Sequence, residues 1–147
     1  MKFTHLRLSA FICGLTLFVP TLHAETKVTD AWVRGTVPAQ KTTGAFLTIT
    51  STEDAKLVGV ASPIADMVEL HLTSNKGGVM HMGHVEGIEL PAGKPVKLEP
   101  GGHHVMLMGL KAPVKAGASV PLTLTVEDRK GKRSTVEVAA SVRPLGQ

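Results

Sequence analysis

The chain has 147 residues, 43% of them hydrophobic but only 3% aromatic, with a formal net charge of +4 and a single cysteine. It has no basic run, no tyrosine and one tryptophan. Neither the charge footprint nor the stacking platform of a nucleic-acid binder is present, so nucleic acid is not expected as a partner. The length suits one domain around one core.

The N-terminus changes these numbers. Lys2 and Arg7 precede an apolar run, Leu8 to Val19, that is too short to span a bilayer comfortably. Pro20 breaks the run, and Leu22-His23-Ala24 supplies a small residue before a cut. Residues 1–24 therefore read as a signal peptide cleaved after Ala24. Residues 25–147 read as one exported, periplasmic domain with no stable membrane insertion. Ala10-Phe11-Ile12-Cys13 puts bulky residues where a lipobox needs small ones, which argues against a lipid anchor. Cleavage removes two basic and no acidic residues, so the net charge falls from +4 to +2. It also removes the only cysteine. The mature domain then has no disulfide and no thiolate, which excludes Cys-rich zinc sites and Cys-dependent catalysis. A soft metal must rest on thioether and imidazole.

Short β-rich segments bounded by Gly and Pro follow in order. The expected strands are Val28–Arg34, Gly44–Ser51, Ala55–Ala61, Met67–Thr73, Val79–Val85, Pro95–Glu99, His104–Gly109, Ser119–Glu127 and Arg133–Ser141. Turn signals separate several of them: Ser74 to Gly78, Pro91-Ala92-Gly93, Pro100-Gly101-Gly102 and Lys130-Gly131-Lys132. No segment keeps helical periodicity long enough for a stable helix. The pattern predicts an all-β fold, a Greek-key sandwich or barrel.

Chemistry concentrates in the middle of the chain. After cleavage five His remain (71, 81, 84, 103, 104) and five Met (67, 80, 82, 106, 108), all between residues 67 and 108. Core-filling Met would scatter across the strands. In Met67–Leu72, alternation puts Val68, Leu70 and Leu72 on the core face and His71 on the other, with Glu69 and Met67. In His104–Met108, His104 and Met106 lie opposite Val105 and Leu107. Met80, Met82 and His84 share a face of the intervening strand. Thioether sulfur is soft and uncharged and suits Cu(I), while imidazole accepts either copper state. Zinc prefers thiolate, imidazole or carboxylate, and calcium or magnesium prefers oxygen. Met67 and Met108 read as packing around the site. Met80, His81, His84 and His103 stay open as spare ligands, Cu(II) ligands or a docking surface. Glu69 reads as a solvated glutamate, with an orienting contact to His71 as the alternative. Trp32 reads as core or lid, and Asp30 and Arg34 as ordinary surface charges.

The spacing His71, ten residues, Met82, twenty-one residues, His104-Val105-Met106 resembles the H-x10-M-x21-H-x-M signature of the periplasmic PCuAC copper chaperone family. The flanking segments Ala31-Trp32-Val33-Arg34, Gly78-Val79-Met80-His81-Met82 and Pro100 to Leu110 resemble the family's in order. The resemblance covers essentially all of residues 25–147. It implies a cupredoxin-like Greek-key β-sandwich that holds Cu(I) with His71, Met82, His104 and Met106. It also implies delivery of copper to a respiratory apo-enzyme, the binuclear copper centre of cytochrome c oxidase subunit II, alongside a Sco-type thiol protein. Gly83 follows Met82 where many relatives have a basic residue. Some members carry a His/Met-rich C-terminal tail for Cu(II). The ending Arg143-Pro144-Leu145-Gly146-Gln147 offers none, so no second copper is expected there.

Other functions weigh less. A blue-copper electron carrier needs a Cys thiolate. No nucleophile triad, phosphate loop or paired carboxylates point to an enzyme. A copper-buffering or resistance protein, or a donor to a copper nitrite reductase or nitrous oxide reductase, would use the same ligands.

Overall fold

A computed structural model describes residues 25–146. The expected leader, residues 1–24 with Cys13, lies outside the described residues. The described chain is all β. Its strands are β1 (Thr26–Arg34), β2 (Thr42–Ser51), β3 (Ala55–Ala61), β4 (Ala65–Lys76), β5 (Val79–His84), β6 (Ile88–Leu90), β7 (Val96–Leu98), β8 (His103–Leu110), β9 (Ser119–Asp128) and β10 (Arg133–Arg143). All nine expected strands are found, their ends unchanged or moved by up to three residues. The tenth, β6, was not expected. Three residues between Gly87 and Pro91 are too few to show alternation, although Ile88 and Leu90 are buried on either side of exposed Glu89.

The strands join in the order β5-β4-β8-β2-β1-β10-β9-β3-β6, with β7 pairing β2 beyond the stretch that pairs β8. β1 runs parallel to β10, while the other pairings are antiparallel. This is the expected cupredoxin-like sandwich, in which sequence-distant strands become neighbours. One apolar cluster fills it, drawn from both ends of the strand order: Leu70 of β4, Val105 and Leu107 of β8, Leu57 of β3, Leu90 of β6 and Leu122 and Leu124 of β9. All ten strands and this core lie within residues 25–146.

One irregularity positions the site. The β1–β2 register slips between Thr29 and Trp32, so β1 carries one extra residue. Asp30 takes up the bulge at φ 51°, a left-handed conformation that Asp tolerates better than most residues. Val28 and Val33 are five apart and could not share a face of a regular strand. The bulge lets both pack on the core and turns Trp32 and Arg34 to the opposite face. Arg143 Nη2 donates to Asp30 Oδ1 at 2.8 Å, tying the bulge to the end of β10.

Candidate metal centre

The register of β5, β4 and β8 assembles the His/Met window. His71 of β4 lies opposite His104 of β8 and His84 of β5. Glu69 lies opposite Met106, and Thr73 opposite Met82. Residues directly opposite in a sheet project to the same side. Glu69, His71 and Thr73, His104 and Met106, and Met82 and His84 thus share the outer face, while Leu70, Val105 and Leu107 point into the core. The faces predicted from alternation in β4 and β8 are the observed ones.

The two histidines are held in complementary ways. His71 Nε2 lies 2.8 Å from Glu69 Oε2. A carboxylate only accepts, so Nε2 must carry the proton of that bond. Nδ1 of His71 is left with the lone pair, and it is buried without a hydrogen-bond partner among the described residues. His104 is 5% exposed, and its Nδ1 lies 3.1 Å from the Gly102 carbonyl. The carbonyl likewise only accepts, which places the proton on Nδ1 and the lone pair on Nε2. Each imidazole thus keeps one nitrogen free as a ligand, fixed by the hydrogen bond on the other. The ring centroids are 5.9 Å apart. The contact to Glu69 corrects its reading as a solvated glutamate; its side chain is 32% exposed and that of His71 14%. Two residues apart on one strand, the pair is brought into register by the pleat.

A cleft of about 240 Å³ is lined by Met82, His104 and Met106, together with Arg34, Thr43, Gly44 and Phe46. His71 stands beside it, next to His104. No group of three or more His, Cys, Asp or Glu among the described residues is arranged to hold a metal. A soft-metal donor set at this face would need the two thioethers as well as the imidazoles. Met82 is 54% exposed and Met106 is half-buried.

The far wall of the cleft was not foreseen. Phe46 packs on Trp32 with centroids 4.5 Å apart and faces His104 at 6.3 Å. The Arg34 guanidinium sits over Phe46 at 5.5 Å, and that of Arg143 over Trp32 at 4.6 Å, within cation–π range. Gly44, opposite Met106, makes room for this wall, since a Cβ there would lie 3.0 Å from Phe46 Cζ. Arg34 is thus part of the site rather than an ordinary surface charge, and Asp30 anchors Arg143. Trp32 is buried at 8% exposure, on the outer face and outside the core cluster. Met67, opposite Met108 on the same face, is 53% exposed. Every residue of β5 is exposed, and His103 lies opposite Leu72, out of phase with His104.

The family model described as "Putative lipoprotein LpqE-like" matches residues 26–142. The chain belongs to the LpqE-like family. A relative, "Putative lipoprotein Lxx21020" of Leifsonia xyli, is 37% identical over 113 residues, covering 76% of this chain and 67% of its own length. "Uncharacterized protein RP573" of Rickettsia prowazekii is 30% identical over 114 residues. The chain spans 67% and 63% of the lengths of these two relatives. Among solved structures, the copper(I) form of DR1885 from Deinococcus radiodurans is 37% identical. Its TM-score is 0.61, with 80% of this chain and 77% of that chain covered. The apo PCuAC domain of PmoF2 has a TM-score of 0.65 and covers 85% of this chain and 98% of that one. At 21% identity its likeness is one of fold. The lipoprotein descriptions bear on export of the family.

Proposed function

We propose that this protein is a periplasmic chaperone that binds one Cu(I) through His71 Nδ1, Met82 Sδ, His104 Nε2 and Met106 Sδ, and delivers it to a respiratory cuproenzyme. The observation that carries the reading is the pair of imidazoles. Each has its proton fixed by an acceptor-only partner, and His71 is left with a buried nitrogen that nothing among the described residues satisfies. A buried polar atom without a partner is costly, and a metal bond removes that cost. Two thioethers on the same face make the donor set soft and uncharged, which favours Cu(I) over zinc, calcium or Cu(II). The 37% identity to a protein solved in its copper(I) form supports the same cargo.

Delivery is favoured over storage by the exposure of Met82. A ligand 54% open to solvent on an edge strand is within reach of an incoming donor atom from another protein. The recipient proposed is the binuclear copper centre of cytochrome c oxidase subunit II, with a Sco-type protein as a companion. The basic and apolar N-terminal residues and the lipoprotein descriptions of the family support export to the periplasm.

The test is a competitive Cu(I) titration of residues 25–147 against a chromophoric chelator under reducing conditions. One tight equivalent is expected, lost when His71 or Met106 is replaced by Ala. Absence of tight binding would end this reading. Transfer from the loaded protein to an apo subunit II domain tests the recipient.

A further inference from the structure

His71 has two imidazole neighbours. On its inner side is buried His104, with ring centroids 5.9 Å apart. On its outer side is His84 of β5, at 6.2 Å and an interplanar angle of 76°. Metal–imidazole bonds of about 2 Å, plus the distance from nitrogen to ring centre, let two rings that share an ion lie up to about 6 Å apart. Both pairs meet that limit to within a few tenths of an ångström. All three rings cannot meet it together. His84 and His104 lie two strands apart, roughly 10 Å at the usual strand spacing, consistent with the absence of a three-residue His/Cys/Asp/Glu cluster among the described residues. The row is therefore two pairs with His71 in common.

Met82 is also common to two settings. It lines the cleft with His104 and Met106, and it stands two residues from His84 on the same face of β5. Among the described strands β5 ends the order and pairs only with β4, and it is exposed along its whole length. We propose that His71, Met82 and His84 form a second, transient copper position at the edge of the sheet. Copper leaves the inner set by exchanging His104 and Met106 for His84 while His71 and Met82 stay bound. The proposal rests on the ligand reading above. Two metal–ligand bonds break and one forms, the ion remains Cu(I), and the open coordination place is taken by the recipient's donor atom. Stepwise exchange of this kind never requires a bare ion to leave a buried histidine. It brings copper to the strand where a partner has access.

The experiment is stopped-flow transfer of Cu(I) from loaded residues 25–147 to excess bicinchoninate, paired with equilibrium competition. His84→Ala is expected to keep the equilibrium affinity within about threefold of wild type. It should slow transfer roughly tenfold, the off-rate being where related complexes differ most. His81→Ala and His103→Ala, which remove histidines on the other face, should change neither. Transfer by His84→Ala at the wild-type rate would overturn the relay. So would a tenfold or greater loss of equilibrium affinity, which would make His84 a resident ligand. If His71→Ala and Met106→Ala leave Cu(I) affinity unchanged, it is the ligand assignment that has failed.

Discussion

Glu69 is the residue whose replacement best separates the placing of a ligand from the ligand itself. Its carboxylate touches no proposed copper position. It accepts the Nε2–H of His71 at 2.8 Å and so leaves Nδ1 as the proposed donor to metal. Partners that hold a ligating histidine are worth about 10–100-fold in metal affinity. Here a single hydrogen bond is involved, and the glutamate is 32% exposed, so water can replace part of the contact. The lower end applies: Glu69→Ala should weaken Cu(I) about tenfold, or ~1.4 kcal/mol. Glu69→Gln separates charge from geometry. The amide oxygen can still accept the same proton, so this variant should recover most of the affinity if positioning is the main effect. It should behave like Glu69→Ala if the negative charge near the ion matters more. Neither variant should change folding stability by more than about 0.5 kcal/mol, since the pair is partly solvated. Competition against a Cu(I) chelator gives the affinity, and thermal unfolding of the apo protein gives the stability. Wild-type affinity in Glu69→Ala would refute the reasoning. Equal affinity with a large fall in melting temperature would show that the pair serves the fold.

Met82→Ala should lower Cu(I) affinity by more than the tenfold expected of Glu69, since it removes a ligand. At 54% exposure it should leave the apo melting temperature unchanged; the same titration and melt check both. Leu107→Ala should do the reverse. Its side chain is fully buried in the core, so the truncation should cost about 2–5 kcal/mol in chemical denaturation, while the folded fraction binds copper normally. Gly44→Ala places a Cβ 3.0 Å from Phe46 Cζ. Phe46 must yield by a few tenths of an ångström against Trp32 and His104. A shift in Trp32 emission together with a fewfold weaker Cu(I) affinity is expected, and an unchanged spectrum would show that the wall is not tightly fitted.

Much of the histidine- and methionine-bearing face could be read from the chain because β4 and β8 alternate without interruption through it. Val68, Leu70 and Leu72 mark one face and fix His71 on the other. Val105 and Leu107 do the same for His104 and Met106. Three features escaped that logic. β6 is too short for alternation to be visible, and it is recognised only by its pairing with β3. The hydrogen bond between Glu69 and His71 depends on side-chain torsions, which a shared face permits but does not determine. The aromatic wall depends on the bulge at Asp30. Simple alternation puts Val28 and Trp32 on one face, and only the extra residue in β1 sends Val28 inward and Trp32 outward. The segment Ala31-Trp32-Val33-Arg34 signalled importance through its family resemblance. It carried no sign that Arg34 would lie on Phe46.

The division of labour between the two faces has a consequence for how this site can vary. β4 and β8, which carry three of the four proposed ligands, supply core residues at the alternate positions, whereas β5, which carries Met82, is exposed along its length. His104 and Met106 alternate with Val105 and Leu107, and His71 is flanked by Leu70 and Leu72. Core packing holds the backbone of β4 and β8 in register, and the register alone sets which outer side chains meet. A one-residue slip of β8 against β4 would bury His104 and Met106 and expose Val105 and Leu107, and the core makes that prohibitively unfavourable. His71, His104 and Met106 therefore need not contribute to stability in order to be held in place. Such an arrangement suits a protein that must fold before it meets its ion and must keep its fold after giving the ion away.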